Sequence, residues 1–341
     1  MRFGLTTDFR NLPGSGKRSA TVYAETIELF AWAETLDFGA AYVFEHHFTD
    51  DDYMSSPMVA ATAIAARTKQ MRIGPDIAIL PLYDPVRVAE DGAVLDLISN
   101  GRLDFGVGLG YRPEEYAGYG LDIKSKGSRA NEALEIIRRL WQGETVSFHG
   151  KHFNIDRAKL SPRPVQQPNP PIWVGGFSKA AARRAARYGD GYIGPSHREM
   201  YDMYLSEVKA AGKDPARARV MGGDLWLIVS EDPGRTFTEC APNLLYWFNA
   251  YSRWFAGSDT SPWPHLDNKE QILSLGLATI VTPEDAVKHI KARIAEVPVE
   301  LFTMMLMPPG SAINSVVRAS SSCGDPGSAM REFITDRKSV V

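Results

Sequence analysis

Short apolar runs alternate along the chain with longer stretches in which apolar residues return every third or fourth position. Runs of the first kind suit buried parallel strands and the second kind suit helices lying on them, so the order predicts an α/β fold. Arg2 to Leu5 reads as the first strand. After a polar Gly-Ser-Gly loop, Ala20 to Leu36 reads as the first helix, with Tyr23, Ile27, Phe30 and Ala31 on one face. The next units are Ala41 to Phe44 with Pro57 to Arg67, Met71 to Ile79 with Pro85 to Ile98, and Leu103 to Val107 with Arg129 to Leu140.

Beyond Trp141, the stretch GETVSFHGKHFNI holds two alternating runs about a glycine, which predicts a small β-hairpin inserted after the fourth strand-helix unit. The pattern resumes with Ile172 to Val174 and Lys179 to Arg187, and with Gly191 to Ile193 and Arg198 to Ala211. Val220 to Val229 follows as a strand, with helical sequence beyond Thr236. A helix from Pro283 to Ala295, capped by Thr282, and a strand from Leu301 to Met307 close the series. Eight strands in this order predict a single (β/α)8 TIM barrel across residues 1–341. A doubly wound sheet is the alternative, but PGSGK after the first strand has neither the dinucleotide nor the P-loop spacing.

Charge removes one class of partner. The chain has 38 basic and 41 acidic residues, a net charge of -3, and no basic stripe to hold nucleic acid. It has no apolar run of about eighteen residues, and Met1 leads straight into RFGLTT, so a soluble cytoplasmic protein without membrane contact is expected. Cys240 and Cys323 read as inert thiols.

In a barrel of this kind, chemistry gathers where strands end. The second strand runs into FEHHFTDD, beginning at Phe44. An extended backbone there sends Glu45 and His47 to one side and His46 to the other, so the pair is no metal-ligand face. A histidine with one nitrogen fixed by a carboxylate can instead move a proton near neutral pH, and His46 is the candidate catalytic residue. His47 is read as an anchor for the loop. FGVGLGYRPEEY leaves one strand face bare at Gly106, Gly108 and Gly110, where something flat could approach. Arg129, placed at a helix start, and Gly175, Gly176 and Ser178, ahead of a second helix, offer places for an anion. Ser178 alone is adequately explained as a cap, and Arg183, Arg184 and Arg187 as the solvated face of its helix.

These segments resemble the bacterial luciferase-like flavin-dependent oxidoreductases. EHHFT is similar to a stretch of bacterial luciferase. DPVRVAEDGAVLDLISNGRLDFGVGLGYRPEEYAGYGLD and PPIWVGGFSKAAARRAARYGDGY resemble segments that recur through the family, and the likeness spans about residues 1 to 307. The resemblance implies a (β/α)8 barrel and a flavin-type cofactor. It also implies that His46 assists the reaction of an oxygenated flavin, that Arg129 and Ser178 hold the flavin phosphate, and that the Asp76–Ile77 peptide is a cis bond under the flavin ring. Leu109 departs from bacterial luciferase, which has an arginine there on the flavin phosphate. After Met307, glycines and prolines interrupt the expected closing helix.

The aromatic segment from Leu244 to Leu266 reads either as a core helix with a packed loop or as an apolar wall and lid. The leading expectation is a monooxygenase. It would take reduced FMN from a separate flavin reductase and use O2 to oxygenate a small apolar organic substrate, as a homodimer. A hydride-transferring enzyme using the deazaflavin coenzyme, and a flavin-binding protein without turnover, are the alternatives.

Overall fold

The computed structural model describes residues 1–194, 197–256 and 263–306. Met307, the 308–341 tail with Cys323, and the 257–262 part of the aromatic segment lie outside the described residues.

The first half of the chain has β1 (Arg2–Thr7), α1 (Ser19–Thr35), β2 (Ala40–Val43), α2 (Pro57–Arg67), β3 (Arg72–Pro75), β4 (Ala78–Ile79) and α3 (Pro85–Ser99). There follow β5 (Phe105–Gly108), α4 (Pro113–Gly118), α5 (Lys126–Trp141) and the hairpin β6 (Thr145–His149) and β7 (Asn154–Lys159). Next come β8 (Ile172–Gly175), α6 (Lys179–Tyr188), β9 (Gly191–Ile193), α7 (Arg198–Ala210), β10 (Val220–Gly223) and β11 (Leu227–Val229). Last are α8 (Pro233–Trp254), α9 (Glu270–Ser274), β12 (Thr279–Val281), α10 (Pro283–Glu296) and β13 (Leu301–Met305).

The main sheet runs β3-β2-β1-β13-β10-β9-β8-β5-β4, with parallel neighbours. β3 and β4 are two pieces of one strand position, broken at Asp76–Ile77, so the sheet closes on itself. Ile73 bridges Leu103 just ahead of β5, and Ala78 then pairs with Val107. This is the (β/α)8 TIM barrel expected from the sequence, with the hairpin where the alternation placed it.

Inside the barrel, Ala40, Tyr42, Trp173, Met221 and Leu301 pack together. The Tyr42 hydroxyl donates to Asp104 at 2.8 Å, and Asp104 also pairs with Arg72. Outside it, apolar helix faces such as Ala61 and Ile64 of α2 and Ile136 and Ile137 of α5 are fully buried in the main core. Burial of this kind, roughly 1.5–3 kcal/mol for each large aliphatic side chain, holds the helices on the barrel.

Besides the break at Asp76–Ile77 in the run expected as one strand from Met71 to Ile79, three features depart from the expectation. Val220 to Val229 is not one strand. β10 ends at Gly223, where the Asp224 carboxylate is held by His289 and Arg293 of α10, and β11 leaves the barrel to pair with β12. Helix α5 starts at Lys126, after a 3₁₀ turn at Ile123–Ser125, so Arg129 lies at the end of its first turn rather than at its start. The short helix α4, which Pro113 opens, was not anticipated, and it carries a residue of the site.

Candidate active site

His46 follows β2 at the C-terminal mouth of the barrel and is 5% exposed. Its Nδ1 lies 2.7 Å from Oε1 of Glu115 on α4, and its Nε2 lies 3.0 Å from the Tyr111 hydroxyl. Burial pulls the His46 pKa below the ordinary histidine value, and the hydrogen bond and charge of Glu115 restore only part of it. Burial pushes Glu115 up, but His46, the His47 N–H and the Arg112 guanidinium together bring it below the usual carboxylate range. A neutral imidazole beside a carboxylate is thereby assigned its tautomer: Nδ1–H donates to Glu115, and Nε2 accepts from Tyr111.

His47 is held separately. Its Nε2 is 2.6 Å from Glu45 and its Nδ1 is 3.3 Å from the Tyr119 hydroxyl, while its backbone N–H and C=O meet Glu115 and Arg112 at 3.0 and 2.6 Å. Glu45 and His47 therefore share one side of the extended chain and His46 takes the other, the arrangement that the strand period predicts. The other oxygen of Glu45 accepts the Ile79 N–H at 2.7 Å and pins the chain just past the strand break. The loops around this mouth hold Phe9, Phe48 and Asp52 at positive φ (54° each). Such backbone is uncommon for phenylalanine and clusters where surrounding structure enforces it.

The Asp76–Ile77 peptide is cis. The Asp76 N–H donates to Val43 at 2.8 Å, but its half-buried carboxyl has no hydrogen-bond partner among the described residues, and burial pushes its pKa up to about 7. The bare glycine face is already in use. A Cβ on Gly106 would lie 2.2 Å from the Pro75 carbonyl oxygen, and Cβ atoms on Gly108 and Gly175 would lie 2.6 and 2.9 Å from the Ile77 side chain. The glycines thus make room for the broken third strand, and a flat guest would meet Ile77 rather than an open strand face.

Around the anion positions, Ser178 caps α6 by accepting the Ala181 N–H at 3.3 Å, and Gly176 has a φ of 143° with no space for a Cβ beside Ala181. Arg129 donates to the Pro81 carbonyl at 2.8 Å and lies 4.3 Å over the Phe153 ring. The sequence reading missed two further cations here. Arg184 is half-buried rather than on the solvated face, with Nε on Asn131 at 2.8 Å, whereas Arg183 and Arg187 are exposed. Lys126 reaches the Gly110 carbonyl at 3.2 Å. Burial lowers the pKa of Lys126, Arg129 and Arg184, the Arg184 charge lowers Lys126 further, and none of the three forms an ion pair among the described residues. Lys126 and Arg184 are close enough for one charge to act on the other, while Asp84 and Glu132 act on Arg129, so the first two form the barer place for an anion.

Helix α8 supplies the wall over His46. Trp247 stacks on Tyr251 at 4.0 Å, Tyr111 stacks on Phe255 at 3.7 Å, and the Tyr251 and Trp254 rings lie 5.7 and 4.9 Å from the imidazole. Leu244, Trp247 and Phe248 on the same helix are fully buried, so this segment is both core helix and wall. Glu115, Tyr111, Lys126 and the ion cluster of Asp8, Arg10 and Asp51 have no reading in the sequence, and Arg184 has one only as part of a solvated face. Charged residues directly after an apolar strand, as in LTTDFR, were the available signal for that cluster.

A buried histidine oriented by a carboxylate at the mouth of a TIM barrel makes this end of the barrel the candidate active site. Residues 1–263 match the luciferase-like monooxygenases, and the chain belongs to that family of oxidoreductases. The oxygenase component of flavin-dependent trigonelline monooxygenase from Acinetobacter baylyi is 33% identical over 176 residues, 51% of this chain and 48% of that one. The chain thus aligns with only about half the length of this relative. Among solved structures, monooxygenase RslO1 from Streptomyces bottropensis superimposes with a TM-score of 0.83 at 22% identity, covering 99% of this chain and 100% of that one. An F420-dependent secondary alcohol dehydrogenase bound to an F420–acetone adduct gives 0.70 at 22% identity, over 93% and 98%. The last two likenesses concern the fold.

Proposed function

We propose that the protein is the oxygenating component of a two-component flavin monooxygenase, using reduced FMN from a separate reductase and O2 to oxygenate a small, largely apolar organic substrate. The observation that carries this reading is His46, neutral and oriented by Glu115, with the rings of Tyr53, Tyr111, Tyr251 and Trp254 packed around it. Lys126, Arg129 and Arg184, with the capped start of α6 at Ser178, fit a terminal phosphate by charge, and none of the three forms an ion pair among the described residues. Ile77, Gly175 and Gly176 offer an apolar backing for a flat ring system. The bound reduced flavin supplies the electrons and activates O2.

The protein's own part is positional and protolytic. Glu115 holds the Nδ1 proton, so Nε2 is the atom that takes up or returns a proton, with Tyr111 as its neighbour. Tyr53, Tyr251 and Trp254 keep water from the same space, which protects a reactive oxygenated cofactor. A homodimer in the cytoplasm belongs to the same proposal.

Anaerobic titration with reduced FMN, reduced riboflavin and reduced F420, followed by admission of oxygen, tests the reading. Reduced FMN should bind about tenfold or more tighter than reduced riboflavin, through its phosphate, and its complex should consume O2. Binding of F420 without affinity for FMN sinks the proposal in favour of hydride transfer. FMN binding with no oxygen chemistry leaves a flavin carrier.

A further inference from the structure

Arg10 lies three residues past the end of β1 and is 2% exposed. Its Nε is 3.2 Å from Asp51 and 3.7 Å from Asp8. Even so, none of its three side-chain nitrogens makes a well-formed hydrogen bond among the described residues. Buried donors of a guanidinium normally find acceptors, so a set without any points to an acceptor still to come. What surrounds Arg10 is aromatic: its Cζ lies 4.5, 5.1 and 5.6 Å from the Tyr53, Trp254 and Tyr251 ring centres. The same three rings stand 4.9, 4.9 and 5.7 Å from the His46 ring. Arg10 and His46 therefore contact the same three rings, and the Arg10 charge is felt at the imidazole.

We propose that Arg10 is the substrate anchor, donating its unmet N–H groups to the carbonyl oxygen of a neutral substrate whose reacting carbon lies beside His46. The inference rests on the oxygenation proposed above. Charge decides between a carbonyl and a carboxylate. Asp8 and Asp51 already outnumber the guanidinium, so a further anion adds like charge in a buried place, whereas a neutral acceptor adds none. Trp254 is the one ring of the three that is not fully buried, and it yields to the substrate.

The test uses the full chain without flavin and two matched probe series: acetophenone, ethylbenzene and benzoate, and heptan-2-one, heptane and heptanoate. Binding is read by calorimetry and tryptophan fluorescence. In at least one series the ketone should bind about tenfold tighter than both hydrocarbon and acid, the range for a hydrogen bond to a charged donor. Arg10→Lys should reduce that preference to about twofold. Should Arg10→Lys fail to fold, Asp51→Asn gives a second reading, since removing one balancing charge must move the preference from ketone toward acid. A ketone that binds no better than its hydrocarbon in both series overturns the proposal, as does a ranking unchanged in the variants. Reduced FMN binding is measured separately, so loss of the flavin reading and loss of the anchor are distinct results.

Discussion

His46 and Asp76 are titratable groups at the barrel mouth that burial moves in opposite chemical directions. Burial keeps His46 neutral below the ordinary histidine value, so turnover that needs its free Nε2 should fall off on the acid side only below about 6.5. Glu115 raises the His46 pKa, so Glu115→Gln should carry the acid limb of a kcat profile to still lower pH while reducing the plateau about tenfold to a hundredfold. His46→Gln should abolish the limb and cost about 10²–10⁴-fold in kcat.

For Asp76 the linkage reads the other way. Its folded value of about 7 lies above its ordinary 3.8, so the folded state pays for ionising it. Stability is whole below the unfolded value and declines as pH rises through about 7. Asp76→Asn should therefore stabilise the protein more at pH 8 than at pH 5, as read from denaturation midpoints. An equal shift at both values would show that the carboxyl finds a partner.

At the scale of elements, the broken third strand depends on its glycine neighbours. Gly106→Ala would set a Cβ 2.2 Å from the Pro75 carbonyl oxygen, which is backbone and cannot rotate away. The expected cost is about 1–3 kcal/mol or more by chemical denaturation, with no effect of comparable size from Gly120→Asp, where a side chain meets open space and aspartate tolerates positive φ. Alternation of strand and helix was legible because periodicity is local. The division of Val220–Val229 was not, since it depends on Asp224 meeting His289 and Arg293 some 65 and 69 residues later. Helix α4 was hidden for a related reason: six residues are too few to display a helical period, although Pro113 and the two glutamates after it fit a helix start. With α4 went Glu115, 69 residues from the histidine it orients.

Across the whole molecule, the two halves of the candidate site sit on different parts of the chain. The cations lie on α5 and α6, whereas most of the aromatic wall lies on α8. Lys126→Met and Arg184→Met should each weaken reduced FMN about tenfold with little change in reduced riboflavin. Trp254→Ala should leave both unchanged and alter only the binding of substrate-like ketones. Binding titrations with the two flavins separate these outcomes. The position of His46 and the cis bond at Asp76–Ile77 were legible through motif, whereas the lack of an ion pair at Lys126 and Arg184 among the described residues is a property of three-dimensional neighbours that no spacing records.

The exit of β11 from the barrel has a consequence for descent as well as for architecture. Between β10 and β13 the chain makes an excursion of its own, β11 and β12 pairing beside the barrel with α8 slung between them. The barrel closes through β10 and β13 whatever the excursion contains. Lineages could therefore rewrite the wall while leaving α5 and α6, and the cations on them, unchanged.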